Sequence, residues 1–280
     1  MAKIYEALQR AEKERKKKQS GVAAPSESRD RSSPEPAGSS FKKRSVLARL
    51  SAPFRGMLRS APDETSKRRV TLLQPESYAA EQFRTLRARI DSLAAQRPIT
   101  SVAVVSANSR DGKTTAAINL AVVTSMSLDR KVLLIDCDLR RPSVHRALGL
   151  EPRAGLGEVL GGRAELVDSV MPVEGHHLEI LGVRSLPANP SELLASSKMS
   201  SLMEEACQRY DRVILDTPAA LGLPDTKIIA ERCDGLILVM RAGVTPVKDA
   251  LATLDLLDRR RVLGVTLNDA VVKTEGYRYA

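Results

Sequence analysis

The sequence predicts an α/β fold, a mostly parallel sheet covered by helices on both faces, and three observations carry that expectation. Apolar runs rich in β-branched residues alternate with helical stretches, the first run opens into a Gly-Lys-Thr loop followed by a helix, and two later runs reach aspartates. The runs are 101–106 (SVAVVS), 131–136 (KVLLID), 178–182 (LEILG), 212–216 (RVILD), 235–240 (GLILVM) and 261–267 (RVLGVTL). Each is nearly continuous in hydrophobicity, as a strand buried on both faces requires. Stretches such as 190–209 and 245–259 read as intervening helices.

Upstream of residue 76 the composition changes. Residues 1–18 read as a short amphipathic helix, with Ile4, Leu8 and Ala11 on one face and charges elsewhere. Residues 19–75 read as a largely disordered basic linker, Ser/Pro/Ala-rich at first and without periodicity. Within it, residues 41–60 place Val46, Leu47, Leu50, Phe54, Met57 and Leu58 in an apolar stripe beside six Lys/Arg and no acids, interrupted by Pro53. Such a segment can lie on an anionic membrane surface; a solvated or partner-binding helix is the alternative.

The formal net charge of +10 is confined to this region. Residues 1–70 hold 18 Lys/Arg and 8 Asp/Glu, whereas the remainder holds 26 of each. The neutral, aromatic-poor remainder offers no basic stripe with stacking residues, which argues against a nucleic-acid partner. No run of about 18 apolar residues and no signal-type apolar segment occurs, and the three cysteines (Cys137, Cys207, Cys233) sit among aliphatic residues. A cytoplasmic chain with reduced core thiols is the expectation.

The chemistry begins after the first strand, in SANSRDGKTTAAINLA (106–121), an A-x-x-x-x-G-K-T form of the phosphate-binding (Walker A) loop with Ala107 where the first glycine usually stands. Strand, loop and helix in this order let Ala107, Asn108, Ser109, Arg110, Asp111, Gly112, Lys113, Thr114 and Thr115 cradle the phosphates of ATP. Lys113 reaches the β/γ oxygens and the Thr114 hydroxyl holds Mg²⁺. The expected fold is therefore that of the P-loop NTPases, whose ligands lie at the carboxyl ends of the strands.

Those ends carry carboxylates: Asp136 and Asp138 in VLLIDCDLRRP, and Asp216 before Thr217-Pro218. A lone aspartate there is more often a turn or cap residue. Three of them beside a phosphate loop fit Mg²⁺ coordination and orientation of an attacking hydroxyl. Arg140 reads equally as added positive charge or as an ion-pair partner, His145 as a structural hydrogen-bonding residue, and Asn268 as a turn residue or an adenine contact.

Taken together, the loop, DCDLRRP, GLGEVLGG (155–162), LPANPSELL (186–194), ILDTPA and DGLILVMRAGVT (234–245) resemble the bacterial tyrosine kinases (BY-kinases) of capsular and exopolysaccharide systems. Similarity covers most of 76–280, and the opening MAKIYEALQRAEKE resembles autokinases of exosortase-linked exopolysaccharide loci. The resemblance implies a kinase domain at 76–273, an ATP- and Mg²⁺-dependent tyrosine autokinase regulating polysaccharide synthesis and export, and a tail at 274–280 phosphorylated on Tyr277 and Tyr279. It implies a catalytic set of Lys113, Asp136 and Asp138, with Asp136 orienting or deprotonating the tyrosine. Thr114, Asp138 and Asp216 would hold the metal, the assignment among the three aspartates staying open.

The family also implies oligomerisation into a ring through Glu81, Arg84 and Arg87, which the spacing of three places along one helical face. A membrane polysaccharide co-polymerase or chain-length regulator would activate the chain, placing it peripherally at the cytoplasmic face of the inner membrane. The tail has only two tyrosines where relatives carry a cluster, and Walker B reads D-T-P-A where D-x-P-P is common. Two readings compete: a positioning ATPase of the ParA/MinD kind, disfavoured by Asn108 where those proteins carry a signature lysine, and a non-kinase, ATP-bound scaffold of the polysaccharide machinery.

Overall fold

A computed structural model of the chain describes residues 69–127 and 130–271. The expectations for the helix at 1–18, for most of the linker including 41–60, and for Tyr277 and Tyr279 fall outside these residues. The described part holds a seven-stranded sheet: β1 (Ser101–Ser106), β2 (Val132–Asp136), β3 (Val170–Pro172), β4 (Leu178–Leu181), β5 (Arg212–Ala219), β6 (Gly235–Arg241) and β7 (Val262–Asn268). Its order is β3-β4-β2-β5-β1-β6-β7, parallel throughout except for the β3–β4 pair. All six predicted runs are strands, and β3 is the addition.

Helices cover both faces because alternate residues of each strand enter different cores. Ala103, Val105, Leu133, Ile135, Val213, Leu215, Leu236 and Leu238 pack on one side. Against them lie α5 (Leu156–Leu160), α6 (Leu166–Ser169), α7 (Pro190–Ala195), α8 (Ser197–Arg209), α9 (Asp225–Ala230) and α10 (Val247–Leu256). Val102, Val104, Val132, Leu134, Ile214 and Ile237 pack on the other side against α2 (Tyr78–Ala94), α3 (Lys113–Ser125) and α4 (Val144–Leu148). The helix expected at 190–209 is two helices, because Ser196 leaves helical geometry (ψ 159°) and its Oγ caps the next helix at Met199 N–H.

Helix α3, which starts at the phosphate loop, is held from outside by polar ties. A short helix α1 (Val70–Leu73) precedes residue 76; there the buried Thr71 donates both its N–H (2.9 Å) and its hydroxyl (2.8 Å) to Asn119 Oδ1 on α3. Asn119 in turn donates to the Thr115 carbonyl (2.7 Å). Among the described residues no helix is long and apolar enough to cross a membrane.

At the amino ends of the strands, Arg212 of β5 is buried against Asp91 of α2 (3.1 Å) and donates to the Ile99 carbonyl. Asp91 also receives Arg130 at 2.6 Å. Burial pulls the guanidinium of Arg212 below the ordinary arginine range, and Asp91 opposes the shift.

Candidate active site

The site lies where theory places it, at the carboxyl ends of β1, β2 and β5. Ala107 follows β1 with a negative φ and is buried, its carbonyl accepting Leu221 N–H (3.2 Å), so this position does not need a glycine. The left-handed positions are Arg110 (φ 66°) and Gly112 (φ 102°). At Gly112 a Cβ would stand 2.0 Å from Asn268 Nδ2, so the glycine is required twice over. Lys113 opens α3 and is buried, its Nζ 3.4 Å from the Asn108 carbonyl, folded back over the loop it is expected to serve. Ser109 and Arg110 are exposed; Thr114 and Thr115 are half-buried on the first turn of α3.

Strand register brings the carboxylates together. Asp136 and Asp216 are paired neighbours on β2 and β5, and both are buried. Asp136 caps the entrance to α4, its Oδ2 accepting the N–H groups of Ser143 (2.9 Å) and Val144 (3.0 Å), while Oδ1 accepts Asp138 N–H (3.2 Å). Burial and the neighbouring Asp216 push its carboxyl up to about 8, against the pull of those two helix-end N–H groups. The Ser143 hydroxyl lies 3.3 Å from that of Thr114, which closes a path from the phosphate loop to Asp136.

Asp138 differs from its neighbours in exposure. It is half-buried, its Oδ1 shapes the following turn by accepting Arg141 N–H (2.9 Å) and Arg140 N–H (3.3 Å), and its Oδ2 has no hydrogen bond among the described residues.

Other residues take their places. Arg140 forms an ion pair with buried Asp225 (2.8 Å) and a bond to Ser191 (3.0 Å), so it ties the carboxylate turn to α7 and α9; the Asp225 bond raises its pKa. His145 is not the hydrogen-bonding residue expected: its Nδ1 has no partner, its Cβ would crowd a side chain at Gly182, and burial lowers its pKa. Asn268 ends β7 and donates to the Asp111 carbonyl (3.1 Å), packing on the phosphate loop. On α2, Arg84 pairs with Glu81 (2.9 Å) and bonds the Pro75 carbonyl, whereas Arg87 donates to the Val123 carbonyl of α3 (2.8 Å). Two of the three ring-motif charges therefore pair with each other at the surface, and the third fastens α2 to α3.

Sequence reasoning counted Asn108 and Asp111 among the loop residues but missed the contacts that brace them. Asp111 is buried within it; its Oδ2 accepts Asn108 N–H (2.9 Å) and its Oδ1 accepts the hydroxyl of Thr245 (2.7 Å). The Asn108 side-chain amide donates to Asp249 (3.0 Å) on α10. Thr245 and Asp249 read in sequence as the start of a helix and an acid in its first turn, so nothing local marks them.

Known proteins share this arrangement. A family signature described as an AAA domain matches residues 100–245. Tyrosine-protein kinase YwqD of Bacillus subtilis is 40% identical over 205 residues, spanning 71% of this chain and 84% of that one. The chain belongs to the bacterial tyrosine-kinase (BY-kinase) family. Tyrosine-protein kinase wzc of Salmonella typhi is 32% identical over 206 residues; the match covers 73% of this chain but 28% of that longer protein. The solved kinase domain of Escherichia coli tyrosine kinase ETK is similar with a TM-score of 0.69 and 29% identity, covering 81% of this chain and 88% of that one. Membership of the BY-kinase family accounts for the likeness in fold.

Proposed function

We propose that this chain is an ATP-dependent protein-tyrosine autokinase that regulates synthesis and export of an exopolysaccharide or capsule. The observation that carries the reading is the convergence of Thr114, Ser143, Asp136 and Asp216 beside the phosphate loop, with Asp138 exposed at the rim. Two buried carboxylates side by side are costly in isolation and suit a hard divalent cation with oxygen ligands. Thr114, Asp136 and Asp216 would hold Mg²⁺, directly or through water, and the ion supplies neutralisation of the β- and γ-phosphate charge.

Lys113 adds its charge at the same phosphates. In the transfer, the tyrosine oxygen bonds to the γ-phosphorus as the bond to the bridging oxygen breaks, and ADP leaves with that electron pair. The hydroxyl proton passes to Asp138 Oδ2. Sequence reasoning gave Asp136 this role and Asp138 a place on the metal, with the assignment among the three aspartates left open; the greater exposure of Asp138, whose Oδ2 has no hydrogen bond among the described residues, supports it as the proton acceptor, and the pairing of buried Asp136 with Asp216 supports Asp136 as a metal ligand.

The acceptors in this reading are Tyr277 and Tyr279, and 76–273 acts as the kinase domain. A ring of copies contacts through Glu81 and Arg84, which would exchange their mutual pair for partners on the next subunit. A membrane polysaccharide co-polymerase supplies the activating contact, and 41–60 holds the chain at the cytoplasmic face of the membrane. The positioning-ATPase reading is weaker: Asn108 stands where a signature lysine would, and its amide is committed to Asp249.

The test is incubation of the full chain with Mg-ATP, with and without the cytosolic tail of the candidate membrane partner, and phosphotyrosine mapping by mass spectrometry beside Lys113→Met. Phosphate on Tyr277 or Tyr279 that vanishes in Lys113→Met is the expected result. ATP binding without tyrosine modification, even with the partner, would instead favour the ATP-bound scaffold.

A further inference from the structure

We infer that Asp111 and Thr245, supported by Asp249, form a latch that presets the phosphate loop, and that Asp111 and Thr245 are positioning residues for nucleotide binding. The inference rests on the ATP reading of the loop. Its starting point is a strained backbone: Arg110, a non-glycine residue, occupies the left-handed region, which costs on the order of 1–2 kcal/mol and persists only where the surroundings over-determine it. The loop's own first position is an alanine with ordinary φ, so the constraint comes from elsewhere.

It comes from the buried carboxylate one residue later. Asp111 can only accept hydrogen bonds, which fixes the direction of both that it makes: one from Asn108 N–H inside the loop, one from the Thr245 hydroxyl outside it. Thr245 is itself oriented, because its Oγ1 accepts Arg241 N–H (2.8 Å) at the end of β6. Asp249 holds the Asn108 side chain from α10, and Asn268 holds the Asp111 carbonyl from β7. The loop is thus fixed from the β6–α10 connection and the end of β7, through bonds spanning 134 to 157 residues of sequence.

A carboxylate so placed closes the loop on itself between Asn108 and Asp111. A loop already closed in the free protein binds phosphate without an ordering cost; a loop that must first close binds it more weakly by the fraction closed. The effect falls on binding rather than on the transfer step, because the latch side chains bond the loop and each other and act through the shape of the loop. A hydroxyl lost from a buried carboxylate typically weakens binding about tenfold by this route.

The experiment is isothermal titration of the full-length chain with Mg-ATP, in the wild type, Thr245→Val, Thr245→Ser, Asp111→Ala and the Asp111→Ala/Thr245→Val double variant, with thermal unfolding of each without nucleotide. Thr245→Val is expected to raise Kd about tenfold, Thr245→Ser to return it to within about threefold of wild type, and Thr245→Val to cost less than about twofold once Asp111 is gone. In turnover, Thr245→Val should raise KM for ATP while kcat stays within about twofold. A Thr245→Val variant that binds as the wild type, effects that simply add in the double variant, or a serine that fails to restore affinity would each overturn the latch. A wild-type chain that does not bind Mg-ATP would overturn the ATP reading itself, and the latch with it.

Discussion

The two ends of the same sheet bury charge in opposite ways. At the amino ends, the buried Arg212 meets Asp91, Asp91 meets Arg130, and the exposed Asp234 accepts the Thr100 and Ser101 N–H groups, so opposite charges face each other around the buried guanidinium. At the carboxyl ends, Asp136 and Asp216 stand on adjacent strands with the same sign, and Asp136 is driven up to about 8. The first arrangement completes itself within the chain. The second sets two like charges side by side, which the proposed cation would relieve, and this is how a candidate binding site differs from a brace built on the same scaffold.

The largest effect should come from the carboxyl end. Lys113→Met removes the charge that the proposed function assigns to the transferring phosphate, and tyrosine phosphorylation should fall by about a hundredfold or more, with the nucleotide-free melting point nearly unchanged. Phosphopeptide mapping and calorimetry on one preparation read both. Retained phosphorylation in this variant would remove Lys113 from the chemistry.

Next is the amino end, where the same class of substitution should do the reverse. Arg212→Ala leaves Asp91 with Arg130 and the more distant Arg87 and frees the Ile99 carbonyl, and should cost about 3 kcal/mol of stability by denaturant titration. Asp91 remains about a quarter exposed, which keeps the cost at the low end for a broken buried pair. Mg-ATP affinity should stay within about twofold. A variant as stable as the wild type but weak in ATP binding would mean the two ends are not separate.

The carboxyl end also predicts a gain. Asp216→Asn removes a like charge from beside Asp136, and the chain free of Mg²⁺ and nucleotide should become more stable by about 1–2 kcal/mol. The stabilisation that Mg-ATP gives the wild type should shrink in the same variant, because the proposed metal ligand is gone. A loss of stability in the ligand-free variant would show that the carboxylate pair is part of the brace.

The ends also differ in how legible they were. Strands and the phosphate loop could be read because their signal is local: continuous apolar runs, G-K-T after a strand, aspartates at a strand's end. The convergence of Asp136, Asp138 and Asp216 followed once the strands were taken as parallel. The latch could not be read, because Thr245 and Asp249 fit equally well as helix-start residues and their partners lie 134 and 141 positions away. The Arg87 contact is hidden for the same reason: its spacing from Glu81 is visible in sequence, but the Val123 carbonyl that receives it is not. The short helix α1 is too brief to show periodicity, and the buried Thr71–Asn119 contact and the packing of Leu72 on the core give it a place.

The smallest effect sharpens what the amino end is. Asp258 precedes β7 and grips Arg260 through three bonds of 2.9–3.0 Å, yet the Arg260 side chain is 89% exposed. These bonds pull the Asp258 carboxyl down to about 2. A carboxyl held lower in the folded than in the unfolded chain stabilises the fold above its ordinary value near about 4, and that contribution fades as the pH falls toward 2. Water screens this pair, so Asp258→Asn should barely move the melting point at neutral pH and should only flatten its decline in acid. Thermal unfolding from neutral pH down to about pH 2 separates the cases. A neutral-pH loss as large as that of Arg212→Ala would mean that the number of paired charges, rather than their burial, holds this end of the sheet together.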